Sequence, residues 1–273
     1  LRAYRCPIAN TDREMRVQLA IRHEAGRSAT GGLTVTLAST AGDVEGAQRL
    51  RHRIFAGEMG ARIGGRVAGR DEDAFDPWCE HLVVRDVATD EIVGTYRFLA
   101  ADRARRLGAF CSESHFDLTR IARLKTGMVE FGRACVHPDY RSGHAIMLLW
   151  QGLARVVRER GFDALIGCAS IAMTDGGVAA ARIYEHIAPR HLAPIECRVR
   201  PRHPLQPRED ADAHASDPFP ALPPLLKGYL NAGAWIGGEP GWDPDFNTAD
   251  LFVLLPIARI ERRYARHFMR AAA

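Results

Sequence analysis

A chain of 273 residues that is 47% hydrophobic and 26% charged can bury the core of one large domain or two small ones. Its formal net charge of +4 is too small a basic excess to argue for nucleic acid, and suits an acidic protein partner or an anionic membrane surface equally well. No run approaches the roughly 18 to 20 apolar residues of a spanning helix, and the opening LRAYRCPIANTDREMRVQLA is too charged for a secretory leader, so a cytoplasmic globular protein is expected.

Residues 1–31 mix arginine with isolated apolar positions and read as a loosely attached arm. LTVTLA (33–38) alternates as a strand does. From Asp43, taken as the N-cap, a helix places Val44, Ala47, Leu50, Ile54 and Phe55 on one face. GARIGGRVAGRDEDAFDPW (60–78) reads as a loop over a site. EHLVVRD and EIVGTYRFLA then form a hairpin through the turn VATD, followed by a strand over 128–136, a helix over 143–160 stopped by Gly161, and the buried strand ALIGCAS.

DGGVAAARIYEH (175–186) reads as a helix and HLAPIECRVR (191–200) as a strand. Residues 201–224 are crowded with proline and charge, which predicts an exposed linker. Beyond it lie the helix PLLKGYLNAGA, the strand ADLFVLLP and a closing helix IARIERRYARHFMR. The division is therefore an arm (1–31), a core (32–200), a linker (201–224) and a C-terminal extension (225–273). Strands and helices in this order predict an α/β fold, a mixed and mostly antiparallel sheet with helices on both faces.

Six cysteines form no C-x-x-C pair and eleven histidines show no H-x-x-x-H or H-E-x-x-H spacing, so reduced thiols and no metal site are expected. The strand MVEFGRACV, the turn HPDY and the loop opening the next helix are suited to an anion, because backbone N–H groups and the helix dipole converge there. Arg141, Ser142, Gly143, His144 and Ala145 make up that loop.

This strand, turn and loop resemble the acyl-donor site of the GNAT superfamily of N-acyltransferases, where a pantetheine phosphate is held and a splayed strand meets the thioester carbonyl. AARIYEH resembles the superfamily's helix carrying a tyrosine acid, which would be Tyr184. RLRHRIFAGEMGA, DEDAFDPWCEHLVV, IVGTYRFL and VEFGRACVHPDYR are similar, in order and spacing, to the acyl-homoserine lactone synthases and the bacterial L-ornithine N-acyltransferases of ornithine-lipid synthesis. Only the second family resembles FCSESHFDLTRI and the tail PPLLKGYLNAGAWIGGEPGWDPDFNTADLFVLLP. The superfamily loop usually opens with Gln or Arg, whereas YRSGHA has Tyr140 there, which fits an acyl carrier protein with its single pantetheine phosphate better than coenzyme A.

The resemblance implies transfer of a 3-hydroxyacyl chain from acyl carrier protein to the α-amine of L-ornithine, giving lyso-ornithine lipid. No bound cofactor is implied, the carrier's phosphopantetheine thioester being a co-substrate. The shared polar set becomes Arg51, Phe55, Asp73, Asp76, Arg97, Glu130 and Arg133. Glu130 is the candidate base, and backbone N–H groups near Ala134 and Cys135 are the candidate oxyanion donors. Asp73 and Asp76 would hold the ornithine side-chain ammonium while Arg97 or Arg51 grips its carboxylate, and Phe55 would line the core or the acyl pocket.

Other readings stay open. Glu130 and Arg133 could simply pair with one another, and a synthase with a different amine acceptor or a non-catalytic binder of carrier protein or membrane fits the same motifs. The closing helix sets Ile257, Ile260, Tyr264 and Phe268 against five arginines, a pattern that can lie on the inner face of the cytoplasmic membrane or pack on the sheet. His81 and Asp86 show an H-x-x-x-x-D spacing, but residues five apart in a strand face opposite sides.

Overall fold

The computed structural model describes residues 28–30, 32–206 and 221–260. The chain runs through β1 (Ser28–Thr30), β2 (Leu33–Leu37), α1 (Ala41–His52), β3 (Glu80–Asp86), β4 (Ile92–Ala100), α2 (Ala101–Leu107) and β5 (Phe116–Asp117). It continues through β6 (Met128–Val136), α3 (His144–Arg160), β7 (Ala164–Ala172), α4 (Val178–His191), β8 (Arg200–Pro201), α5 (Pro224–Ala232), β9 (Trp235–Ile236), β10 (Gly241–Asp243) and β11 (Thr248–Pro256).

Nine strands form one sheet in the order β1-β2-β3-β4-β6-β7-β11-β10, with β9 also paired to β11. Every pair in it is antiparallel except β6 and β7. A parallel pair cannot be joined by a tight turn, and the helix α3 supplies the crossover. This is the expected mixed, mostly antiparallel architecture. Leu148, Leu149 and Leu153 of α3 pack with Leu82, Phe131 and Leu165 in one hydrophobic cluster. Phe116, Ile121, Met128, Ile166 and Phe252 form another, so the residues that alternate along β6 and β7 are divided between two cores.

Two expectations need correction, and three fall wholly or partly outside these residues. The cap of α1 is Thr40, whose hydroxyl accepts the Asp43 N–H at 3.1 Å while the Asp43 carboxylate accepts the Thr40 N–H at 3.0 Å. Asp43 is thus the third residue of a capping box rather than the cap itself. HLAPIECRVR is not a continuous strand: Pro194 starts a single 3₁₀ turn over Ile195–Cys197, Leu192 makes an isolated bridge to Ile236, and Arg200–Pro201 pairs with β5. Proline lacks the N–H a ladder needs, so this segment touches the sheet at points, as where the Ala193 N–H donates to the Ile236 carbonyl at 2.8 Å. Of the expected closing helix only residues 257–260 are described, with a 3₁₀ turn over Ile257–Arg259; the rest of it, like the arm up to residue 27 and linker residues 207–220, lies outside the described residues.

No helix among the described residues is long and apolar enough to cross a membrane.

Candidate active site

β6 and β7 pair only from Met128–Ala164 to Glu130–Ile166, although both strands continue for six further residues. Past that point the two diverge. At the crotch of the fork the backbones crowd together: a Cβ on Gly167 would stand 2.3 Å from the Phe131 carbonyl oxygen, so only glycine fits.

On its other edge β6 carries a bulge. Thr95 opposes Cys135 and Arg97 opposes Gly132, which leaves one extra residue on β6. Arg133 absorbs the distortion at φ 55°, a left-handed conformation that a non-glycine residue keeps only when its surroundings hold it there. A cavity of about 300 Å³ opens at this fork, with Glu130, Gly132 and Ala134 of β6, Cys168 and Ser170 of β7 and Asp250 of β11 among its walls.

Glu130 is 4% exposed. Its carboxylate accepts the backbone N–H groups of Cys111 at 2.5 Å and Ser112 at 2.7 Å, together with the Ser112 hydroxyl. Burial pushes its pKa up, against the pull of these donors and of Arg97. It makes no ion pair with Arg133, contrary to the simpler pairing considered above. Arg133 instead reaches Asp71 at 3.2 Å and Asp73 at 3.4 Å, and stacks 4.3 Å over the Phe246 ring.

Arg133 belongs to a network of three arginines and three aspartates. Arg51, with no exposed surface, forks onto Asp76 at 2.8 to 3.0 Å and meets Asp71 at 2.9 Å. Arg97 contacts Asp73 at 2.7 Å and Asp76 at 3.2 Å. Burial alone would raise the Asp76 carboxyl, but Arg51 and Arg97 bring it down to about 2. His81 lies against this network, 3.7 Å from Asp76, and burial with the Arg51 charge lowers it to about 4, so it is neutral at physiological pH. Asp86 is at the far end of β3, accepting the Tyr140 hydroxyl at 2.7 Å. Tyr140, which departs from the usual loop residue, therefore ties the loop before α3 to the sheet.

Of the predicted residues, Glu130, Ala134, Phe55, Asp73, Arg97 and Arg133 line the cavity. Arg51 and Asp76 sit behind it, committed to one another. Cys135 packs with Leu50, Ile54 and Phe55, and burial raises its thiol to about 12, the state of a core cysteine rather than a nucleophile. Tyr184 is half-buried on α4 outside the cavity lining, and burial with the nearby Glu239 carboxylate raises its hydroxyl.

Gly143 caps α3 in the left-handed conformation at φ 103°, leaving the first-turn N–H groups of the helix to face an anion. Beside them Arg141 pairs with Glu58 at 2.7 Å and donates to the Val136 carbonyl at 3.0 Å.

Sequence reasoning missed Asp71, Cys111, Ser112, His115, Asp243 and Asp250. Asp71 opens the DEDAFDPW segment and is 2% exposed, which nothing in its charged surroundings signals. His115, Asp243 and Asp250 bring ligand-type atoms within 4.8 Å of one another, a grouping of the kind that can hold a cation and that no sequence spacing shows. All three line the same cavity as Glu130.

Residues 50–151 match the acetyltransferase (GNAT) domain family. The L-ornithine N(alpha)-acyltransferase of Brucella abortus (strain 2308) is 37% identical over 87% of this chain and 89% of its own. That of Rhizobium meliloti (strain 1021) is 33% identical over 86% and 84%. In fold, the chain is similar to a CoA-dependent acyl-homoserine lactone synthase, BjaI (TM-score 0.53, 15% identity, 88% of this chain and 90% of that one). It is likewise similar to the N-acyl amino acid synthase FeeM (TM-score 0.50, 10% identity, 84% and 94%). A forked sheet with a glycine-capped helix beside the fork and relatives matched over nearly their whole length lead to one assignment: the chain belongs to the L-ornithine N(alpha)-acyltransferase family.

Proposed function

We propose that this acyltransferase moves a 3-hydroxyacyl chain from acyl carrier protein to the α-amine of L-ornithine, giving lyso-ornithine lipid. The acceptor rests on the relatives' names, and the donor on the loop in which Tyr140, bonded through its hydroxyl to Asp86, stands where the superfamily usually has Gln or Arg. The observation that carries the chemistry is Glu130, a buried carboxylate with a raised pKa where the two strands part.

In this reading the pantetheine arm enters between β6 and β7, its phosphate on the N–H groups of Ser142 to Ala145 and its thioester carbonyl against the bulged backbone at Ala134. The α-amine gives up a proton through a water to Glu130, and its nitrogen attacks the carbonyl carbon. The tetrahedral oxyanion is held by backbone N–H groups near Ala134 and Cys135, and collapse breaks the C–S bond. Tyr184 gives the thiolate its proton. Of the two arginines considered for the acceptor carboxylate, Arg97 fits better: it lines the cavity, and its Nη2 meets only the weak acceptor Cys111 Sγ, at 3.7 Å, beyond its ion pairs. Arg51 has no exposed surface to offer.

The test is an assay of the purified chain with 3-hydroxyacyl carrier protein or the matching coenzyme A thioester, offered L-ornithine, lysine, glutamine and homoserine, with products identified by mass. N-acyl-ornithine from the carrier protein is the expected product. Transfer only from coenzyme A would overturn the donor, and acylation of another amine alone would overturn the acceptor. Adding vesicles of anionic lipid to the same assay tests for membrane contact, which predicts co-sedimentation of the chain.

A further inference from the structure

The geometry points to Asp243 and Asp250, with His115 beside them, as the part of the cavity that selects an acceptor carrying a second ammonium group. This deepens the proposed function and rests on it. The earlier expectation gave the ammonium to Asp73 and Asp76. Those two are already spoken for: Asp76 by Arg51 and Arg97, Asp73 by Arg97 and Arg133. Among the described residues no lysine or arginine comes within 4.0 Å of the Asp243 or Asp250 carboxylates, and the basic group nearest them is His115, 3.8 Å from Asp243.

The pair is buried and faces the cavity. Asp250 is 5% exposed and stands directly across from Ser170 in the β7–β11 ladder, so the two side chains share a face. Its carboxylate accepts the Thr248 hydroxyl at 3.1 Å and a hydrogen bond from the Ser170 side chain, neutral donors that bring no opposite charge. One oxygen of Asp243 accepts the N–H groups of Asp245 at 2.9 Å and Phe246 at 3.1 Å, and the other is the one beside His115. Two buried carboxylates this close are costly together unless a proton or a cation lies between them. Burial and the Asp243 charge accordingly push the Asp250 carboxyl up.

The pair is also in line with the base. Cys168, two residues before Ser170 on the same face of β7, has a buried thiol raised further by the carboxylates of both Asp250 and Glu130. Its sulfur lies 3.8 Å from the Ser112 hydroxyl that Glu130 accepts. One wall thus carries the base at one end and the acid pair at the other. An acceptor with amines at both ends spans that wall.

The test compares L-ornithine with L-norleucine, in which a methyl group replaces the side-chain ammonium, using the full chain and 3-hydroxyacyl carrier protein. The quantity read is the ratio of kcat/KM for the two acceptors. Asp250→Asn should lower this ratio roughly ten- to a hundredfold, the loss expected for one charge-assisted hydrogen bond. Urea unfolding of the variant reports separately that it is folded. Ser170→Lys replaces an exposed serine whose side chain bonds Asp250 with an ammonium set against the same carboxylate, so it should collapse the ratio in the same way. Parallel loss of both acceptors in both variants, or an unchanged ratio, overturns the inference. So would wild-type activity that is abolished by EDTA and restored by a divalent metal, because the cluster would then be a metal site. Failure of the wild type to acylate ornithine at all would sink the proposed function itself, a different outcome from either.

Discussion

Replacing Glu130 by glutamine separates the two jobs its carboxylate could have. As a structural anchor it takes backbone N–H groups on both oxygens, Cys111 on one and Ser112 on the other. Glutamine keeps one oxygen and turns an NH₂ toward the second donor, so about one hydrogen bond is lost, at roughly 1 to 3 kcal/mol. Against this, the substitution removes a buried acid whose folded pKa is raised. Such a group adds stability only below its unfolded pKa and loses it as pH rises through the folded one, so deleting the charge is favourable at neutral pH. The two effects oppose each other, and a stability within about 2 kcal/mol of wild type is expected from urea unfolding. As a base, its loss should cost about 10² to 10⁴ in kcat/KM, or roughly 3 to 5 kcal/mol of transition-state stabilisation. The wild-type pH–rate profile should rise with pH through a midpoint above the ordinary glutamate value of 4.5, and that limb should vanish in the variant. The assay is single-turnover transfer to ornithine followed by mass. A variant within fivefold of wild type with the same acidic limb would refute the base assignment, whatever its stability.

Asp76→Asn should destabilise the fold by about 3 to 5 kcal/mol at pH 7, because it leaves Arg51 buried with half its partners gone. Its depressed pKa of about 2 gives stability that is present above the unfolded value of 3.8 and lost as pH falls through 2, worth about 2 kcal/mol. Urea titrations at pH 7, 4 and 2 should therefore show a shallower acid decline in the variant, and curves running in parallel would contradict this. Gly167→Ala should cost about 1 to 3 kcal/mol and reduce transfer, since the added Cβ drives into the Phe131 carbonyl; thermal melting and kcat together report it. Tyr184→Phe should lower kcat with little change in the KM for ornithine, and an unchanged kcat would mean that the thiolate leaves without help from α4.

Strands and helices with a clear period were legible in the sequence. β3, β4, β6, α3 and β11 fall where alternation or the helical stripe puts them. What was not legible has specific causes. α2 (ADRARRL) begins as soon as β4 ends and buries only Ala104, so it has no apolar stripe to reveal it. Cys111 and Ser112 matter through backbone N–H groups, which carry no residue signature. The contacts of Arg51 and Arg97 with Asp76 and Asp73 join residues more than twenty positions apart, so composition suggested solvated charges where the fold buries them. Asp243 and Asp250 lay in a tail segment that the family resemblance singled out, yet only the pairing of β11 with β7 and β10 brings them to the cavity.

The charge balance of these parts explains why so many ionic groups surround one small cavity. Arg51, Arg97 and Arg133 against Asp71, Asp73 and Asp76 sum to zero, so the network contributes little net field. Its service is geometric. A left-handed Arg133 costs of order 1 to 3 kcal/mol, and two ion pairs plus the stack on Phe246 hold it there. Phe246 in turn meets Phe55 edge-on at 5.5 Å, which links the bulge to the helical segment that follows α1. With the network neutral, the titratable groups left facing the cavity are the carboxyls of Glu130, Asp243 and Asp250 and the imidazole of His115. On the acceptor reading proposed above, a remainder rich in carboxyls favours amines over neutral groups at the two ends of one wall, where a diamino acid would be held with one nitrogen fixed and the other offered to the thioester.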